Sequence, residues 1–149
     1  MAVIVRNKEG LFNYEILEKY AAGLVLSGPE VKAVKGGQIS LKGAYVSIDG
    51  QGEVWLVNCH ISPYKPAQGQ QQGYQPTRPR KLLLNKKEIS SLGGKGRQKG
   101  LTIIPISVYT SRRLIKVEIG LARGKNQIDK RDSIRKRESE REIRRTLKK

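Results

Sequence analysis

Cys59 and His60 are the chain's one cysteine and one histidine, and they are adjacent. A thiol beside an imidazole suggests nucleophilic catalysis or metal ligation, but the spacing supports neither. Neighbours on a strand face opposite ways, so the base does not reach the nucleophile. A zinc site needs four ligands, with Cys and His spaced along the chain. The plainer reading is a buried thiol next to a polar strand residue. Gly93-Gly94-Lys95-Gly96-Arg97-Gln98-Lys99-Gly100 has the glycines and cations of a phosphate loop. It lacks the Gly-Lys-Ser/Thr ending and leads into a strand rather than a helix. Its backbone amides and three cations still suit phosphate contact. A nuclease reading finds no clustered acidic or histidine constellation to support it.

Charge is the stronger signal. Between Arg78 and Lys99 lie eight cations (Arg78, Arg80, Lys81, Lys86, Lys87, Lys95, Arg97 and Lys99) against one acid, Glu88. A merely solvated face mixes signs, so this run favours a phosphate partner. The whole chain carries +17, with ten basic and five acidic residues between Asp129 and Lys149, so most of the excess belongs to the body. A body this basic opposes its own compaction, which points to a polyanionic ligand, with nucleic acid ahead of a membrane surface. No run approaches the roughly 20 apolar residues of a spanning helix. Met1–Val5 is too short for a signal peptide's apolar region and has no basic stretch before it. A single cysteine gives no disulfide framework and fits a reducing cytoplasm. Aromatics are 5% of the chain with no stacking pair evident, which favours recognition of folded RNA by shape and phosphate over base reading. Tyr45, Trp55, Tyr64 and Tyr109 read as core or rim residues.

These residues need elements to position them. With 149 residues there is enough chain for one core and an appendage. Tyr14/Ile16 and Leu24/Leu26 suit two short strands with a bend or bulge at Gly23. Ser27 or Gly28 caps a helix with Pro29 and Glu30 in its first turn, Val31 and Val34 facing inward and Gly36-Gly37 ending it. Residues 44–48 and 53–57 form a hairpin around Asp49-Gly50-Gln51-Gly52. Residues 62–78 are a long Pro- and Gln-rich loop. Asn85 to Glu88 reads as a capping box opening a helix that ends at Gly93-Gly94. Residues 101–109 and 114–121 form a second hairpin about Thr110–Arg113, with Ile115, Val117, Ile119 and Leu121 on one buried face. No internal repeat is present. The sum is a mainly β chain: a small, partly open barrel of the oligonucleotide-binding type with flanking short helices. Residues 1–128 form the body and 129–149 a basic tail. That tail has Asp132/Lys136 and Glu140/Arg144 spaced as helical pairs, and too little apolar surface to order itself without a partner.

In order along the chain stand Gly28-Pro29-Glu30-Val31-Lys32, Ile39-Ser40-Leu41-Lys42 with Ala44-Tyr45, and His60-Ile61-Ser62-Pro63-Tyr64. Then follow Arg78-Pro79-Arg80-Lys81-Leu82-Leu83-Leu84, Lys99-Gly100-Leu101-Thr102, and Ala122-Arg123-Gly124-Lys125 with Asp129-Lys130-Arg131. Over essentially its whole length the chain resembles the SsrA-binding protein (small protein B) family, partner of transfer-messenger RNA in ribosome rescue. The resemblance implies a cofactor-free, non-enzymatic adaptor, monomeric when free and not membrane-bound. It implies binding to the transfer-RNA-like part of that RNA through Glu30, Lys32, Lys35, Lys42, Arg78, Arg80, Lys81, Lys95, Arg97, Lys99, Arg123 and Lys125. It further implies a tail, disordered when free and helical on the ribosome, that enters the decoding centre and empty messenger channel through Ile128, Asp129, Lys130, Arg131, Lys136 and Arg137. Ile128 departs from the family, which commonly has His or an aromatic there. The principal alternative is a structural protein of all ribosomes, bound to ribosomal RNA.

Overall fold

In the computed structural model, residues 2–66 and 72–125 are described. The tail residues Ile128, Asp129, Lys130, Arg131, Lys136 and Arg137, and Gln68, Gln70 and Gln71 of the long loop, lie outside them.

The chain opens with β1 (Ala2–Arg6) and α1 (Lys8–Asn13), two elements the sequence reading did not anticipate. Asn7 joins them. Its Oδ1 accepts the Gly10 N–H at 3.0 Å to cap α1, while its Nδ2 donates to the Pro105 carbonyl at 2.8 Å. β2 runs unbroken over Tyr14–Leu24 rather than as two strands bent at Gly23. The ladder with β9 (Leu114–Gly124), from Tyr14↔Gly124 to Gly23↔Lys116, holds it extended. Its irregularity falls at Leu17, between Ile16 and Glu18.

α2 (Gly28–Lys35) has the full capping box of Ser27 and Glu30 with Pro29 in the first turn, and Gly36 caps its end. β3 (Ile39–Ser40) pairs with β6 (His60–Ile61) in a two-stranded sheet. β4 (Tyr45–Ile48) and β5 (Val54–Val57) form the expected hairpin. Asp49 organises its turn, accepting the Gln51 and Glu53 N–H groups, each at 2.9 Å, and Trp55 Nε1–H at 2.9 Å. After the long loop come β7 (Arg80–Leu83) and α3 (Lys86–Gly96), which the Asn85/Glu88 capping box opens. α3 continues past Gly93-Gly94, where its end was expected. The reason is tertiary: Leu92 is buried, Gly96 lies close against Ile103, and Lys95 is tied to β2. β8 (Leu101–Ser111) and β9 make the second hairpin, and its tight turn uses positive φ at Arg112 (49°) and Arg113 (69°).

The large sheet is antiparallel in the order β1-β8-β9-β2-β7-β5-β4, and the fold is mainly β. Its edges β1 and β4 share no ladder, yet β4 lies against β8, so the sheet curls around its core as a partly open barrel. The curl has a marked line. β8 bulges at Ile106 and β2 at Leu17, on either side of Gly120 in β9. A Cβ at Gly120 would meet Ile106 Cδ1 at 2.8 Å, Ile16 Cγ2 at 3.0 Å and the Glu18 carbonyl at 3.3 Å, so any side chain there forces its neighbours to shift. Pro105 is tolerated in an inner strand because it stands at the bulge, where the ladder is already interrupted. Val34, Leu41, Leu56, Ile61, Leu82, Leu92, Val108, Val117, Ile119 and Leu121 fill the interior, including three of the four residues expected on the inner face of β9; the fourth, Ile115, is buried as well.

Candidate nucleic-acid interface

Two of the expected RNA-facing residues are inside the body. Arg80, at the start of β7, is 0% exposed, and Glu30, in the first turn of α2, is 1% exposed. Two charges leave water only when each finds partners, and both do. Arg80 Nε and Nη2 donate to Glu30 Oε2 at 2.9 and 2.7 Å, and Nη1 donates to the Cys59 carbonyl at 2.6 Å. Nη2 also lies 2.8 Å from the Tyr74 hydroxyl and 2.9 Å from the Pro76 carbonyl. Glu30 Oε1 accepts the Ser27 N–H at 3.0 Å and Arg78 Nη2. Among the described residues no buried side-chain nitrogen or oxygen lacks a partner. Burial alone would raise the Glu30 pKa. The Ser27 N–H and the two guanidiniums overcome it and hold the carboxyl at about 2.

This corrects the placement of Glu30 and Arg80. Both are buried and paired with each other rather than standing at the surface, and they tie α2 to β7. Glu30 both caps α2 and binds Arg78 and Arg80, residues 48 and 50 positions away in sequence. One acid against two guanidiniums leaves a surplus positive charge, carried toward the surface by Arg78, whose side chain is 39% exposed. Nearby on α2, exposed Lys32 stands 5.6 Å from the centroid of the Tyr64 ring. Lys35 and Lys42 are exposed.

A second basic group forms where α3 enters β8. Arg97 and Lys99 are exposed, and β8's first residue Leu101 pairs with Arg123, which brings that exposed cation beside the 97–100 turn. Lys125 follows Gly124, its N–H donating to the Asn13 carbonyl at 2.9 Å. Lys95 belongs to α3 and not to a loop, and its charge is committed. Nζ donates to both Glu18 oxygens at 2.7 and 2.9 Å, which raises the Lys95 pKa and lowers that of Glu18. Lys81 likewise faces Glu53 at 3.4 Å.

The acids explain the field. Glu18, Glu30, Glu53 and Glu118 pair with cations, while Asp49 and Glu88 hold backbone N–H groups in a turn and a cap. Each of these six acids is met by a partner within the chain, and although Glu15 stands opposite Arg123 in the β2–β9 ladder, Lys32, Arg78, Arg97, Lys99 and Arg123 leave an excess of positive charge.

Cys59 lies just before β6 and His60 opens it, and their side chains part. Cys59 is buried and His60 exposed, and burial, the largest influence, pushes the thiol up to about 11. Among the described residues no three His, Cys, Asp or Glu side chains assemble as a metal site, and no helix is long and apolar enough to cross a membrane. The sequence reading passed over Tyr74. The only cue was a second tyrosine, after Tyr64, in a Gln- and Pro-rich loop.

The sequence model of a family described as SmpB protein matches residues 4–149. The chain is 49% identical over 146 residues to the SsrA-binding protein of Sulfurihydrogenibium sp. (strain YO3AOP1), covering 98% of this chain and 94% of that one. It is 50% identical over 140 residues to the SsrA-binding protein of Desulforudis audaxviator, covering 94% and 90%. Among solved structures, one described as "tmRNA-SmpB: a journey to the center of the bacterial ribosome" has a chain that superposes with a TM-score of 0.70. It shares 40% identity, over 91% of this chain and 96% of that one.

Proposed function

The chain belongs to the SmpB family, and from that premise we propose that it is an RNA-binding adaptor rather than an enzyme. It binds the transfer-RNA-like domain of tmRNA and delivers it to stalled ribosomes for trans-translation in the cytoplasm. The observation that carries the reading is the asymmetry of charge: six of the body's eight acids are engaged in ion pairs, a cap or a turn, while Lys32, Lys35, Lys42, Arg97, Lys99 and Arg123 are exposed. Lys32, Lys35, Lys42 and Arg78 form one contact region. Arg97, Lys99, Arg123 and Lys125 form the other, with Lys81 and Lys95 contributing where they release their carboxylates. Glu30 and Arg80 support the first region from within.

Contacts of this kind recognise folded RNA through phosphates and shape. The test is direct binding at physiological salt, comparing tmRNA with an equally long, unrelated structured RNA. A clear preference for tmRNA is expected, and equal affinity for both would leave only non-specific phosphate attraction. Residues 129–149 act in the decoding centre and messenger channel on this reading. Removing them leaves tmRNA affinity largely intact and abolishes peptide tagging on stalled ribosomes; full tagging by residues 1–128 would refute that role. A structural ribosomal protein would instead co-sediment with all ribosomes at one copy each.

A further inference from the structure

Tyr74 has no role in the proposed contacts, yet its hydroxyl sits where three parts of the body meet. It lies 3.0 Å from Glu30 Oε2 on α2, 2.9 Å from the Ile61 carbonyl on β6, and 2.8 Å from Arg80 Nη2 on β7. A phenol has one proton and can also accept. It accepts from the Arg80 guanidinium, so its proton is shared between the Ile61 carbonyl and the Glu30 carboxylate. The same stretch is tied a second time, because the Ile61 N–H donates to the Pro76 carbonyl at 3.0 Å. Arg78 follows two residues later, its N–H donating to the Gln75 carbonyl at 3.2 Å and its guanidinium on Glu30. Tyr74 and Arg78 therefore bracket a short turn whose two ends are pinned to one carboxylate. Arg80 and Ser27 already satisfy Glu30 without Tyr74, so the hydroxyl is not needed to neutralise the buried charge.

We propose that Tyr74 is a positioning residue: its hydroxyl fixes the 74–79 turn against α2 and β6 and thereby holds the half-exposed Arg78 guanidinium in register for an RNA phosphate. This rests on the RNA-binding reading above. Tyr74→Phe keeps the ring, both arginines and the net charge, and removes only the hydroxyl. Binding to tmRNA is measured by titration at several salt concentrations, well below the melting temperature, for wild type, Tyr74→Phe, Arg78→Ala and the double variant.

Tyr74→Phe is expected to weaken binding about fivefold, the scale of one hydrogen bond, with the salt slope unchanged. Arg78→Ala lowers the slope by about 0.9, one phosphate contact. The double variant binds no more weakly than Arg78→Ala alone, because Tyr74 acts through Arg78. A lower melting temperature with unchanged affinity, or losses that simply add in the double variant, overturns the inference. Preference of the wild type for tmRNA over the unrelated RNA, together with wild-type affinity in Tyr74→Phe, sinks the inference alone. Absence of that preference sinks the RNA reading and the inference with it.

Discussion

Replacing Glu30 by Gln removes the charge that neutralises Arg80 while keeping the side chain's length. Arg80 has no exposure, so its guanidinium cannot turn to water. Breaking one side of such a pair costs about 3–5 kcal/mol. The depressed pKa of Glu30 leads to a similar scale: a carboxyl held at about 2 against an ordinary 4.5 corresponds to about 3 kcal/mol at neutral pH. Because the folded-state pKa is depressed, this contribution is complete above pH 4.5 and is lost as pH falls through 2. At pH 3 roughly half of it remains. Urea unfolding followed by circular dichroism, wild type against Glu30→Gln, should show a difference of about 3 kcal/mol at pH 7 that shrinks steadily between pH 5 and pH 3. Other carboxylates titrate alike in both proteins, so the difference isolates Glu30. A penalty below about 1 kcal/mol at pH 7, or one indifferent to pH, would refute the claim that Glu30 is ionised and structural.

Gly120→Ala should destabilise by about 1–3 kcal/mol, since its Cβ meets Ile106 at 2.8 Å, whereas Gly94→Ala, with nothing within 4 Å on a helix, should raise stability by about 0.5–1 kcal/mol; thermal melts compare the two. Lys99→Ala and Arg123→Ala should each weaken tmRNA binding and lower the salt slope by about one phosphate contact, read from titrations across a salt series. Cys59 should resist a thiol-reactive chromogen at pH 8 in the native protein and react at once in denaturant, because burial disfavours its thiolate.

What the sequence disclosed was local. Ser27-Gly28-Pro29-Glu30 and Asn85–Glu88 announce their caps within four residues, and both boxes are formed. The hairpin about Asp49–Gly52 is equally self-contained. Arg80 misled because composition counts a cation without knowing its surroundings. Its neutralising carboxylate is 50 positions away and meets it only once the chain has folded. Lys95 was mistaken for a loop cation for the same reason, its partner Glu18 being 77 residues distant. Gly23 looked like the bend in β2, but the bend belongs to Leu17, where three strands must agree. β1 and α1 went unseen because their anchor, Asn7, bonds to Pro105, 98 residues on. Motif order carried the functional reading where composition stopped at "basic".

The line formed by Leu17, Ile106 and Gly120 also acts as a phase mark. β2, β8 and β9 are each 11 residues long, and β9 alternates apolar residues with polar or small ones from Ile115 to Leu121. Sliding such strands by two residues would keep every side chain on its original face. It would also drive Ile106 and Ile16 against a residue that carries a Cβ. A slipped pairing therefore meets a clash at its centre, and only one alignment lets all three ladders zip together.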